Sequence, residues 1–150
     1  MNIIGAIIAG LTGTVAMTIV MAMAPRMGMP EMDIVGLLST LFNKDGNRTF
    51  GWVMHLMMGT IFALIYAGLW SVGVGTPSWL GGMIFSAGHW LVAGLVMSGV
   101  PMMHAGVKAG TVMAPGIYMM KNGGMMAFVG GLLGHLVFGL VVALVYGLFI

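Results

Sequence analysis

Four apolar stretches without a single charged residue run approximately from Asn2 to Ala24, Phe50 to Val72, Ser78 to Val100 and Phe128 to Ile150. Crossing about 30 Å of hydrocarbon takes roughly 20 helical residues, so each stretch is long enough to span. A backbone in lipid must satisfy its own hydrogen bonds, which leaves helices or a closed barrel. Barrel strands alternate apolar and polar positions over segments of about ten residues, whereas these runs are apolar on every side. The sequence therefore predicts an all-α, polytopic membrane four-helix bundle. Only 5 % of the residues are charged and 60 % are hydrophobic, against about 25 % charged in a soluble domain. The 150 residues make one integral membrane domain, residues 1–150. The first stretch has no basic segment before it and no hydrophilic mature chain behind it, which is the pattern of a retained span.

All the charges lie in the two long connections: Arg26, Glu31, Asp33, Lys44, Asp45 and Arg48 in one, Lys108 and Lys121 in the other. Five basic residues against three acidic ones are too few and too scattered for a nucleic-acid footprint. They serve instead as a topology signal, because Lys and Arg concentrate on the cytoplasmic side. The expected place is the inner (plasma) membrane, with both termini outside and both long loops cytoplasmic. Gly73 to Pro77 forms a tight hairpin between the second and third spans, flanked by Trp70 and Trp79 as interfacial residues. In the first long loop, Pro30, Glu31 and Asp33 suit a helix start. Met32, Val35, Leu38 and Phe42 then recur at helical spacing opposite Ser39 and Asn43, which predicts a short helix lying in the interface. The second loop, AGVKAGTVMAPGIYMMKNGG, predicts irregular backbone packed on the bundle.

The second and fourth spans repeat each other. At a constant offset of 80, Gly51, His55, Leu56, Gly59, Ala63, Leu64 and Tyr66 meet Gly131, His135, Leu136, Gly139, Ala143, Leu144 and Tyr146. The first and third spans match more sparsely at an offset of 76, through Gly5/Gly81, Met21/Met97, Pro25/Pro101 and Met27/Met103. The chain thus reads as a duplicated transmembrane hairpin, repeat 1 about residues 1–73 and repeat 2 about 78–150. Each repeat holds two spans and enters from the same side, so the expected relation is a pseudo-two-fold axis along the membrane normal. His55, Gly59, Ala63 and Tyr66 fall on one helix face, as do His135, Gly139, Ala143 and Tyr146. Gly59, Ala63, Gly139 and Ala143 are the expected helix-packing positions, since small residues four apart let backbones approach in lipid.

The segments GTVAMT and PRMGMPEMDI, with the later GHLVFGLVVALVYG, resemble an uncharacterised group of small four-span bacterial membrane proteins. Met-Gly-Met-Pro is the most distinctive part. The resemblance covers about half the chain and implies a fold and a location, without a chemistry.

His55 and His135 are the sharpest chemical feature, because ionisable residues within spans are rare and face the protein interior. Two imidazoles facing each other across a four-helix bundle clamp a haem iron axially in cofactor-holding bundles. On that reading His55 and His135 are the metal ligands of a b-haem or other tetrapyrrole, and Gly59 and Gly139 leave room for the flat macrocycle. The alternative is that each histidine donates to a carbonyl or hydroxyl on a neighbouring helix. His89, paired with Gly13 in the repeat, reads as a packed core residue about 10 Å in depth from the pair. His104 reads as solvated. The 19 methionines include MAMAPRMGMPEM and PMMH, thioether arrays that suit soft Cu(I). Those arrays fall on the expected cytoplasmic side without any thiolate, and methionine is also a flexible filler. With no cysteine at all, disulfides and thiolate sites are excluded. No carboxylate lies inside a span and no nucleophile constellation or phosphate loop is visible. The leading expectation is a non-catalytic, accessory or structural membrane subunit, surrounded by lipid and associated with other membrane subunits or with itself. A tetrapyrrole-binding electron-transfer protein and a Cu(I)-handling protein are the alternatives.

Overall fold

The computed structural model describes residues 1–150, the side chain of Asn122 excepted. It is all-helical, and four helices are long and apolar enough to cross a membrane: Ile3–Met27, Arg48–Ser71, Trp79–Met103 and Gly123–Gly147. Helix α1 (Ile3–Met23) runs into a 3₁₀ turn, Ala24–Met27. Helix α2 is Ile34–Ser39 and α3 is Arg48–Ser71. Helix α4 (Trp79–Val96) continues through a 3₁₀ turn into α5 (Val100–Met103). Helix α6 (Ala105–Lys108) and a 3₁₀ turn at Ile117–Met119 lead to α7 (Met120–Gly147).

Three of the spans begin on side chains that satisfy their free N–H groups. Asn2 Oδ1 accepts from Gly5 N–H at 2.9 Å, Asn47 Oδ1 from Thr49 N–H at 2.8 Å, and Ser78 Oγ from Gly81 N–H at 3.1 Å. The fourth span starts earlier than the hydropathy predicts, at Gly123 instead of Phe128. Gly124 kinks α7 there with φ 55° and ψ −148°, a conformation open to glycine alone.

Small residues set the close helix contacts. Within the first hairpin, Gly10 lies on Gly59, Thr60 and Ala63, and Gly59 lies on Thr14. In the second hairpin Gly82 and Ser86 close on Gly139, with Ala143 alongside. Ser86 is the offset-76 counterpart of Gly10, so the two hairpins pack through matching positions. Ala63 and Ala143 are fully buried. Between hairpins, α1 packs closely on α7, with Gly13 against Phe138 and Val142. Tyr146 Oη accepts from Asn2 N–H at 3.1 Å, while its counterpart Tyr66 bonds His89 on α4 at 3.2 Å. Each tyrosine thus bonds a residue of the other hairpin, at positions that are not equivalent in the repeat.

The small-residue faces are therefore used inside this one bundle.

The two long connections interlock at the charged end. Helix α2 docks on Gly51 of α3, whose missing side chain admits the Val35 carbonyl and Ser39. Gly106 N–H donates to the Thr40 carbonyl at 3.0 Å and Ala105 N–H to the Leu41 carbonyl at 2.9 Å. The structure departs from the sequence expectation at several points in this region. Helix α2 begins after Asp33, which caps it by accepting from Gly36 N–H at 2.8 Å. It ends before Phe42, which is exposed, while Ser39 is buried. The helix packs on protein through Val35 and Ser39, because Gly51 offers a backbone to dock on. His104 is 1 % exposed, donating Nε2–H to the Leu37 carbonyl at 2.8 Å and accepting from Val107 N–H at 3.2 Å. It is a clamp, not a solvated group. Trp70 is buried against Tyr66, Phe85 and Tyr146, leaving Trp79 as the exposed member of the expected pair.

Candidate functional site

The two hairpins differ at a contact that borders a cavity. Where α1 meets α7, the pair in contact is Gly13 and Val142. The equivalent pair between α4 and α3 is His89 (offset 76) and Phe62 (offset 80), stacked with centroids 3.4 Å apart. Two rings stand where a glycine and a valine stand in the counterpart. They hold the α3 and α4 backbones apart while α1 and α7 touch. The space behind them is a cavity of about 100 Å³ reached by α1, α3, α4 and α7.

Three histidines from three helices line it: His55, His89 and His135. The His89 and His135 rings lie edge to face, centroids 4.9 Å apart. His89 is therefore a neighbour of His135 and not a residue 10 Å away in depth. The misplaced start of the fourth span explains the difference: counted from Gly123 to His135, twelve residues precede the histidine, which carries it to the level of His89. His135 Nδ1–H donates to the Gly131 carbonyl at 2.8 Å, so Nε2 of the neutral ring carries the lone pair. His89 Nδ1 bonds Tyr66 Oη at 3.2 Å. His55, 7 % exposed, has its Nε2 on Thr18 Oγ1 at 3.1 Å. That is the inter-helix hydroxyl bond of the alternative sequence reading.

The remaining lining is apolar and rich in sulfur. Met17, Met21, Met32, Met58, Met97 and Met119 all face the cavity. Of the two surface arrays the sequence displays, Met23, Met27, Met102 and Met103 are exposed, so only part of the first array turns inward. Over the cavity folds the 3₁₀ turn of the second long loop. Tyr118 (φ 50°) and Met119 (φ 57°) are left-handed without being glycine, each costing about 1–2 kcal/mol. Tyr118 is held there by its ring on Trp90 (4.8 Å) and Phe128 (5.1 Å) and by donation to the Leu91 carbonyl at 3.2 Å. Gly94 supplies the space for that ring. Strain of this kind gathers at functional walls.

The room expected for a macrocycle at Gly59 and Gly139 is absent. Thr14 and Phe138 fill the space beside Gly59, and Ser86 with the Gly82 carbonyl fills that beside Gly139. Both glycines serve helix packing. The cavity is also well below the 300 Å³ or so at which pockets begin to hold drug-sized ligands. Among the described residues, no group of three or more His, Asp or Glu is close enough to hold a metal ion.

Fold and cavity together define a small four-span membrane bundle with an internal histidine-lined chamber. The chain belongs to a family of unknown function, DUF6789, whose model matches residues 1–150. No curated protein and no solved structure matches it.

Proposed function

We propose that the protein is a non-catalytic integral membrane subunit that holds a small ligand in the chamber between α1, α3, α4 and α7. One observation carries this reading: a contact at which the two hairpins differ, His89 on Phe62 in place of Gly13 on Val142, borders the chamber where His89 lies beside His135. A scaffold alone has no need of that departure, since the Gly13–Val142 contact packs the same interface without it. A non-catalytic role fits the lining, which offers no carboxylate or thiolate. Accessory service to a larger membrane complex, or self-association, fits a chain built mostly of four spans.

The test copies one half of the protein onto the other. The double variant His89→Gly/Phe62→Val reproduces the α1–α7 contact between α4 and α3. It should fold, close the chamber and lose any small molecule that native mass spectrometry detects on the purified protein. Retention of the same molecule by the double variant would refute the chamber as the site. An absorption spectrum of the purified protein decides the haem alternative: a Soret band lost in His55→Ala and His135→Ala would favour a tetrapyrrole over a small chamber ligand.

We further place the charged end in the cytoplasm and both termini outside, in the plasma membrane, on the strength of the Lys and Arg distribution. Reporter fusions at Ile150 and in the Asn43–Arg48 turn check the assignment, and a cytoplasmic signal at Ile150 reverses it.

A further inference from the structure

We propose that the ligand is a soft monovalent d¹⁰ cation, Cu(I), held by Nε2 of His89 and of His135 together with thioethers of the chamber wall. The inference rests on the ligand-holding reading and adds the identity of the ligand.

The geometry of the two imidazoles comes first. Metal-ligating histidines nearly always donate one ring N–H to a carboxylate, carbonyl or water and present the other nitrogen. His135 donates Nδ1–H to the Gly131 carbonyl, and His89 pairs Nδ1 with Tyr66 Oη, which frees Nε2 in the tautomer with the proton on Nδ1. Neither Nε2 has a hydrogen-bond partner among the described residues, and the rings are 4.9 Å apart. His55 differs, because its Nε2 is engaged by Thr18. It supports the wall and is not a ligand.

Charge and softness then choose the ion. The donors available are neutral: imidazole, thioether and phenol, without carboxylate or thiolate. The cost of taking an ion out of water rises with the square of its charge, so a divalent ion facing only neutral donors is penalised about four times as heavily as a monovalent one. Thioether and imidazole together suit Cu(I). Met17, Met21, Met58 and Met97 come from α1, α3 and the α4–α5 junction, so sulfur approaches from several sides. Filling a gap is the other use of methionine, and leucine fills gaps of the same volume. That equivalence makes the proposal testable.

The experiment titrates the detergent-purified full-length chain with Cu(I), anaerobically and under reductant, against a chromophoric Cu(I) chelator. Ag(I) serves as a redox-inert probe. One ion per chain is expected, with both sulfur and nitrogen scatterers in its X-ray absorption. His89→Ala and His135→Ala should each weaken binding on the order of 100-fold, the upper end of what loss of an outer-shell partner already costs. Met21→Leu/Met58→Leu/Met97→Leu should remove most of the sulfur scattering and weaken binding while leaving thermal unfolding nearly unchanged, since Leu for Met conserves volume. Full-strength binding in the triple leucine variant, or in His89→Ala/His135→Ala, would overturn the proposal by assigning the ion to exposed methionines. So would the absence of Cu(I) binding in the native chain. If that native chain nonetheless carries another small molecule that His89→Gly/Phe62→Val lacks, the ion is wrong and the chamber stands. If neither is found, both readings fall.

Discussion

Replacing His104 by alanine should loosen the charged end of the bundle, and its cost can be worked from three losses. The side chain caps α6 through Val107 N–H at 3.2 Å, and loss of a cap costs about 1 kcal/mol. Its Nε2–H bond to the Leu37 carbonyl, 2.8 Å long, is worth about 1 kcal/mol net. That carbonyl also accepts from Thr40 N–H and Oγ1, at 3.3 and 3.2 Å, so it is not orphaned and the full desolvation penalty does not apply. Removing a ring that is 1 % exposed leaves a cavity, for about 1–2 kcal/mol more on the scale of large-to-small core changes. The total is about 3–4 kcal/mol. Because the clamp joins the two long connections, the loss should be local before it is global. Hydrogen exchange should show it first at Ala105 and Gly106, whose amides donate across to Leu41 and Thr40. Unfolding in mixed micelles then measures the total. A loss below about 1 kcal/mol, with those two amides as protected as in the native chain, would refute the clamp.

Gly139→Ala should cost about 1–3 kcal/mol by overpacking, since its Cβ would strike the Gly82 carbonyl and Ser86, while Gly88→Ala, with nothing within 4 Å, should be neutral or stabilising by up to about 1 kcal/mol; equal effects in a micelle unfolding assay would contradict the packing described. Asp33 predicts an acid dependence: its hydrogen bonds from Arg48, at 2.6 and 3.2 Å, hold its carboxyl below the ordinary value. A depressed carboxyl stabilises above the unfolded value of about 3.9 and loses that contribution as pH falls through the folded one. The pair is exposed, so the loss should not exceed about 1 kcal/mol. Asp33→Asn keeps the cap and should remove that acid-sensitive component, which unfolding measured from about pH 6 down to about pH 2 would reveal.

The bundle is legible in the sequence because lipid leaves few choices. Charge-free runs of spanning length dictate helices, and Gly59 and Gly139 mark where backbones must meet. The ends are less legible. Hydropathy puts the start of the fourth span at Phe128 because Lys121 and a run of glycines look like loop, yet the helix resumes directly after the Gly124 kink. The packing of helix α2 is less legible for a related reason. Its spacing of apolar residues holds equally for docking on lipid or on protein, and only Gly51, far along the chain, decides between them.

His89 shows the limit most sharply. Its pairing with Gly13 is visible in the sequence, but a mismatch in a repeat has two opposite meanings in a packed bundle. Bulk at a lipid-facing position changes nothing, whereas bulk at a helix contact pushes two backbones apart. Choosing between them requires knowing that Phe62, the counterpart of Val142, stands opposite His89, and the similarity of α3 to α7 conceals that substitution among many apolar differences. The physical consequence reaches beyond one residue. A duplicated hairpin with identical halves would close both inter-hairpin contacts and keep a solid core. At one equivalent contact, histidine stands for glycine and phenylalanine for valine, and their rings lie between the two backbones. The same substitutions line the opening with an imidazole that bonds Tyr66, so the chamber and this ring arise together.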